Sequence, residues 1–180
     1  VMAPGAFRAV ASLNVPYRGW AVAFPRIDYI KENLMDRFGY VVYFQDVGPA
    51  EASFAADPKD WLLRTYLPLA GRPDFLSADE LDHFVTAFTT GGIGGPLNYY
   101  RNIDANHDRL AQYENASINV PVLMVIADRD PVLPASLVEG MERWIPNLSV
   151  APIADAGHWV QQERPDEVND ALLEFLDGLP

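Results

Sequence analysis

Two residues of this chain have the types and setting for acid-oriented base chemistry, Asp130 and His158. Asp130 lies in Ala127-Asp128-Arg129-Asp130-Pro131, and His158 in Asp155-Ala156-Gly157-His158-Trp159-Val160-Gln161-Gln162-Glu163-Arg164-Pro165. A histidine accepts a proton near neutral pH through one free ring nitrogen, and a carboxylate on the other nitrogen fixes both tautomer and ring direction. Types alone also allow a plainer reading, with Asp130 capping a turn and His158 as a partly buried loop residue. Val132, Leu133 and Trp159 flank the pair and, with Phe44, are candidates to line an apolar substrate pocket; ordinary core packing accounts for those types equally well. His83 and His107 have no ligand-like spacing, and no cysteine is present, so no metal site is called for.

Strands must carry the pair. Val120-Pro121-Val122-Leu123-Met124-Val125-Ile126-Ala127 is a continuous apolar run of the kind buried in a parallel sheet, and it ends just before Asp130. Leu148-Ser149-Val150-Ala151-Pro152-Ile153 is another, placed toward the sheet edge by its proline, and it ends before His158. Phe7 to Asn14, stopped by Val15-Pro16, is an earlier strand. Helices are expected over Pro134 to Trp144, with Leu137, Val138, Met141 and Trp144 on one face, and over Pro165 to Asp177, with Val168, Leu172, Phe175 and Leu176 as its stripe. Strand, helix, strand, helix implies right-handed crossovers in a mainly parallel sheet, an α/β class.

Between the first strand and the second the texture changes to helical and aromatic-rich, as in an inserted lid. Helices are expected over Arg26 to Phe38, around Pro58 to Tyr66, and from Pro96 through Tyr113. Ser77-Ala78-Asp79-Glu80 is a capping box opening another, whose apolar face is Leu81, Phe84, Val85 and Phe88 and whose end is Gly91-Gly92. The organisation is thus a core strand in residues 1–20, a helical lid over 21–116, and a strand-helix-strand-helix return over 117–180. An insertion at the carboxyl ends of the strands sets lid residues toward Asp130 and His158. Three strands leave both sides of an open sheet uncovered, so a further N-terminal part, or another chain supplying it, is expected; a homodimer is one such cover.

Composition excludes several classes. Of the 180 residues, 49% are apolar and 21% charged, with 15 Pro and 12 Gly, as in a compact globular protein rich in turns. A net charge of −12, with 13 scattered basic residues, argues against nucleic acid. No apolar run reaches the length of a membrane span and no signal peptide is seen, which points to the cytoplasm.

Four segments resemble the soluble-type epoxide hydrolases of the α/β-hydrolase fold: Ser12-Leu13-Asn14-Val15-Pro16, Tyr40 to Glu51 with Tyr43-Phe44-Gln45, Gly91 to Asn102 with Gly95-Pro96-Leu97-Asn98-Tyr99-Tyr100-Arg101-Asn102, and Gly157 to Pro165. The likeness covers essentially the whole chain. It implies an α/β-hydrolase core with an inserted cap, and an epoxide opened to a vicinal diol through an aspartyl ester, without a cofactor. Tyr43 and Tyr100 match the family's tyrosine donors, Asp130 and His158 its water-activating pair. The usual residue before the second tyrosine is Trp, whereas here it is Tyr99, which leaves Tyr99 as an alternative donor. The family's His-Gly-Xaa-Pro motif and nucleophilic Asp fall before the first strand of this chain and are not within its 180 residues. The resemblance therefore implies the C-terminal part of such an enzyme, acting on a small apolar epoxide. Physically, two neutral O–H donors suit an oxygen that gains charge on ring opening, and tyrosine remains a donor at neutral pH. A dehalogenase or ester hydrolase of the same fold, or a binding module inactive for want of a nucleophile, stay open at this point.

Overall fold

The structure, a computed structural model, describes residues 5–17, 19, 25–71 and 74–179. Two compact units divide the chain: Val1–Ala23, Leu69–Phe75 and Gln112–Pro180 form the first, and Phe24–Pro68 with Leu76–Ala111 the second. Residues 69–75 and 112–116, within the stretch 21–116 read as one insertion, thus group with the first unit. The expected boundary at residues 20 and 21 lies outside the described residues.

In the first unit β1 (Val10–Leu13), β2 (Val122–Ala127) and β3 (Leu148–Ile153) form a parallel sheet in the order β1-β2-β3, the strands of the sheet among the described residues. Val10 pairs with Val122 and Leu13 with Val125 on one side of β2; Val122 pairs with Leu148 and Ala127 with Ile153 on the other. Pairing on both edges and apolar cover on both faces explain why β2 is an unbroken Val/Leu/Met/Ile run. Alternation splits that run between two cores. Leu123, Val125 and Ala127 pack with Ile153, Ala156, Val160 and Val168; Val122 and Met124 pack with Met141 and Ile145 on the opposite face. Each buried Val, Leu, Ile or Met among these contributes about 1.5–3 kcal/mol. β3, with its proline, is an edge of the described sheet, as expected.

The helix expected over Pro134 to Trp144 is instead two short 3₁₀ turns, Ala135–Val138 and Met141–Arg143. Glu139 is extended at ψ 126° and Gly140 left-handed at φ 83°, which interrupts the helical ladder while Met141 still reaches the core. Downstream come α8 (Val160–Glu163) and α9 (Pro165–Asp177), the latter opened by Pro165 with the span its sequence predicted.

The second unit is helical: α1 (Ile27–Asn33), α2 (Met35–Tyr43), α3 (Pro49–Ala56), α4 (Pro58–Tyr66), α5 (Ala78–Gly91), α6 (Gly94–Arg101) and α7 (Ile103–Leu110). The single helix expected over Arg26 to Phe38 is broken at Leu34, whose φ of −135° ends α1, and the one expected from Pro96 to Tyr113 begins at Gly94 and breaks at Asn102. The Ser77/Glu80 capping box is formed, and Gly92 ends α5 at φ 71°. No described helix is long and apolar enough to cross a membrane.

Candidate functional site

In the first unit His158 and Asp130 meet. The Asp130 Oδ2 lies 2.9 Å from His158 Nδ1, with the carboxylate side chain fully buried and the imidazole 21% exposed. Asp130 cannot turn away, because its other oxygen accepts the N–H groups of Val132 at 2.7 Å and Leu133 at 2.9 Å. An ionised carboxylate at that distance accepts from Nδ1, which leaves Nε2 as the lone-pair nitrogen of a neutral ring. Of the residues expected to line a pocket, Val132 is buried and Leu133 half-buried, and both serve Asp130 through their main chain. Trp159 sets its ring edge-on to the His158 ring, with centroids 5.0 Å apart.

The His158 main chain is equally fixed. Its N–H donates to Leu69 O at 2.8 Å, and its carbonyl accepts from Asn14 Nδ2 at 2.8 Å. Asn14 stands at the end of β1 with φ 59°, a conformation asparagine tolerates, and its Oδ1 accepts the Ala127 N–H at 3.1 Å. One buried amide therefore ties the ends of β1 and β2 to the histidine. Ala156 N donates to Asp128 Oδ1 and Arg129 N to Ala156 O, and an Arg129–Asp155 ion pair closes the same turn outside.

In the second unit Tyr43 ends α2 and Tyr100 lies in the last turn of α6. Tyr43 is exposed, Tyr100 half-buried, and Tyr99 is 83% exposed. Phe44, expected at a substrate pocket, is buried in the unit's core, its ring centroid 5.7 Å from that of Tyr43 and 5.1 Å from that of Tyr100. Tyr100 packs into both apolar clusters of the unit, and this burial pushes its phenol above the ordinary tyrosine pKa.

The segments carrying the two tyrosines are cross-linked in both directions. Arg101 donates from Nε to Phe44 O at 2.9 Å and from a terminal nitrogen to Asp46 O at 3.1 Å, and pairs with Glu51 at 2.8 Å. Gln45 Nε2 donates back to Tyr100 O at 3.1 Å and to Val41 O at 2.8 Å. Hydrogen bonds from its own and the Gly48 main-chain N–H, with Arg101, hold the Glu51 carboxyl below the usual carboxylate range.

Residue types singled out Asp130 and His158, and the family resemblance Tyr43 and Tyr100; neither singled out Asn14, Gln45, Arg101 or Glu163, although each stands inside a segment quoted for that resemblance. Leu69 and Gly71 carry no sequence signal of their contact with the histidine loop.

Residues 2–165 match the α/β-hydrolase-fold family, and the chain belongs to it. Its similar curated proteins include epoxide hydrolase A of Mycobacterium tuberculosis, 35% identical across 95% of this chain and 62% of that protein, and bifunctional epoxide hydrolase 2 of Sus scrofa, 32% identical across 97% of this chain and 35% of that one. Among solved structures, epoxide hydrolase A of Mycobacterium thermoresistibile superposes with a TM-score of 0.85 at 31% identity, covering 100% of this chain and 65% of that one. An epoxide hydrolase from an endophytic Streptomyces gives 0.87 at 32% identity, covering 98% and 62%. The chain thus spans less than two thirds of the length of these relatives.

Proposed function

We propose that this chain carries the general base and the proton donors of an epoxide hydrolase acting on a small apolar epoxide. The observation that carries the reading is the 2.9 Å contact between the buried Asp130 carboxylate and His158 Nδ1, in a chain whose relatives are named epoxide hydrolases. In this reading the second unit is the cap of the hydrolase, and the nucleophilic carboxylate lies outside these 180 residues.

The first step is attack of that carboxylate on an epoxide carbon. A carbon–oxygen bond of the ring breaks, an ester forms, and the departing oxygen takes a proton from the donor pair Tyr43 and Tyr100. Donors aimed at an oxygen only as it gains charge lower the barrier rather than merely tightening binding. In the second step His158 Nε2 takes a proton from water, and the hydroxide adds to the ester carbonyl. Asp130 stabilises the imidazolium that results. Collapse breaks the acyl carbon–oxygen bond, the leaving oxygen takes the proton from His158, and the carboxylic acid so formed gives its proton to the tyrosinate, which restores carboxylate and donor and releases a vicinal diol.

The test is His158→Gln in the full-length protein containing this chain. Ring opening does not use His158, so an adduct of one substrate mass should accumulate on intact-mass spectrometry while diol release stops. Unimpaired diol release would remove His158 from the base role; halide release from a haloalkane without epoxide turnover would move the whole assignment to a dehalogenase.

A further inference from the structure

Glu163 closes α8 and is 3% exposed, yet no step above uses it. Its carboxylate accepts three main-chain N–H bonds: Gly71 at 2.8 Å and Gly157 at 3.0 Å on Oε2, and Trp159 at 3.1 Å on Oε1. The donors belong to the two segments that hold His158. Gly157 and Trp159 are its neighbours on either side, and Gly71 follows two residues after Leu69, whose carbonyl accepts the His158 N–H. The backbones touch there: a Cβ on Gly157 would stand 2.1 Å from Gly71 N, and one on Gly71 2.6 Å from Gly157 N. Such an approach turns N–H groups of both strands of chain into one small volume, and only an acceptor with no hydrogen of its own serves all three. An ionised carboxylate does so, whereas an amide of the same length must aim its NH₂ at one of the donors.

We propose that Glu163 is a positioning residue for His158, fixing the main chain on both sides of the imidazole and with it the direction of Nε2. This rests on His158 being the base. Asp130 sets the ring by its Nδ1 side, while Glu163 sets the peptide planes from which the ring projects, so the two constraints act on different torsions. Removing the second leaves the Asp130 contact available but lets the ring tilt away from the ester. A misplacement of about 1 Å at a reacting group is enough for a 100-fold loss.

The experiment compares Glu163→Gln, Glu163→Asp, His158→Gln and Met141→Ala in the full-length protein, by single-turnover kinetics that resolve ester formation from ester hydrolysis. Met141→Ala, on the opposite face of the sheet, reports what lost stability alone does to the two steps. Glu163→Gln should slow ester hydrolysis about 10- to 100-fold while ester formation keeps its rate, and Met141→Ala should leave both rates unchanged below its melting temperature. The three histidines allow a second readout, the ¹⁵N spectrum of labelled imidazoles, in which the His158→Gln spectrum assigns the signal. Glu163→Gln should shift the His158 ring signals, as the ring tilts while Asp130 still holds the Nδ1 proton, and leave those of His83 and His107 alone. Unchanged hydrolysis, or an unshifted His158 signal, in Glu163→Gln would overturn the proposal. If that variant does not fold, Glu163→Asp, which keeps the charge and loses reach, decides by the same two criteria. An ester that fails to accumulate in His158→Gln would instead remove the base assignment itself.

Discussion

The two units hold their candidate side chains by different means. In the first, His158 and Asp130 are gripped through main-chain groups: Val132 and Leu133 hold the carboxylate, Leu69 and Asn14 hold the histidine peptide, and Glu163 holds its neighbours. In the second, the tyrosines hang on packed rings around Phe44, and side chains of Arg101 and Gln45 tie the two segments together. The difference follows from the chemistry each is read to perform. A base must present one nitrogen in one tautomer, which needs torsional control, whereas a phenol stays neutral at ordinary pH and must only rotate its O–H toward charge as it develops, so Tyr43 can be exposed while burial raises the Tyr100 phenol further.

The largest effect that separates the two modes is expected at Asp130. In Asp130→Asn the Val132 and Leu133 N–H groups require an oxygen on their side, so the new NH₂ must face His158 Nδ1. Nδ1 then becomes an acceptor, the proton moves to Nε2, and the base loses its lone pair where water stands. The corresponding change in a serine-protease triad costs about 10⁴-fold in kcat, and ester hydrolysis here should fall by a comparable factor with ring opening intact. Single-turnover kinetics measure it; a loss confined to ring opening would contradict the separation.

Next come the donors. Tyr43→Phe and Tyr100→Phe should each cost on the order of 2–4 kcal/mol in ring opening, the range for a lost donor at a developing oxyanion, and leave hydrolysis of the ester nearly unchanged. Tyr99→Phe is the control, since its side chain points largely to solvent. A large effect at Tyr99 with none at Tyr100 would transfer the donor role to the neighbouring position.

Periodicity revealed the strands and α9 because buried parallel strands are continuous apolar runs and a helix stripe with proline in its first turn is local information. It missed the breaks at Leu34, Gly140 and Asn102, where the apolar pattern continues across a change of backbone direction that packing imposes. Asp130 and His158 stood out because the chain has three histidines and this one follows a strand as the carboxylate does, whereas Tyr43 and Tyr100, two of eight tyrosines, stood out only through the family resemblance. Their supports did not, since Leu69 and Gly71 act through backbone atoms, which every residue has. Their grouping with the first unit, although they lie within the stretch read as one insertion, arises from a close backbone approach that only the fold creates.

A smaller effect is expected from the clamp in the second unit. Arg101 is little exposed and gives three charge-assisted contacts. Arg101→Ala should therefore destabilise the protein by about 1.5–3 kcal/mol, read as a shift in the denaturant midpoint, and slow ring opening but not ester hydrolysis. Arg101→Lys keeps the charge but cannot bridge the Phe44 and Asp46 carbonyls with one fork, so it should recover little. Full recovery would mean that charge beside Glu51, rather than the double carbonyl contact, matters.

The smallest effect concerns ionisation of Tyr100 and tests whether burial keeps this donor neutral. Desolvation disfavours the phenolate, so the folded pKa is raised above that of the unfolded chain, which is near 10. With the folded value above the unfolded one, the contribution to stability is complete below the unfolded pKa and is lost as pH rises through the folded value. Subtracting the phenolate absorbance of Tyr100→Phe from that of the unsubstituted protein isolates this group among the eight tyrosines. The difference should titrate above the ordinary tyrosine range, provided circular dichroism shows the fold intact there, and Tyr100→Phe should lose less stability between neutral and alkaline pH than the parent. If the difference titrates at or below the ordinary range, burial does not protect the donor, and the contrast between a torsionally fixed base and a desolvated phenol fails on its second half.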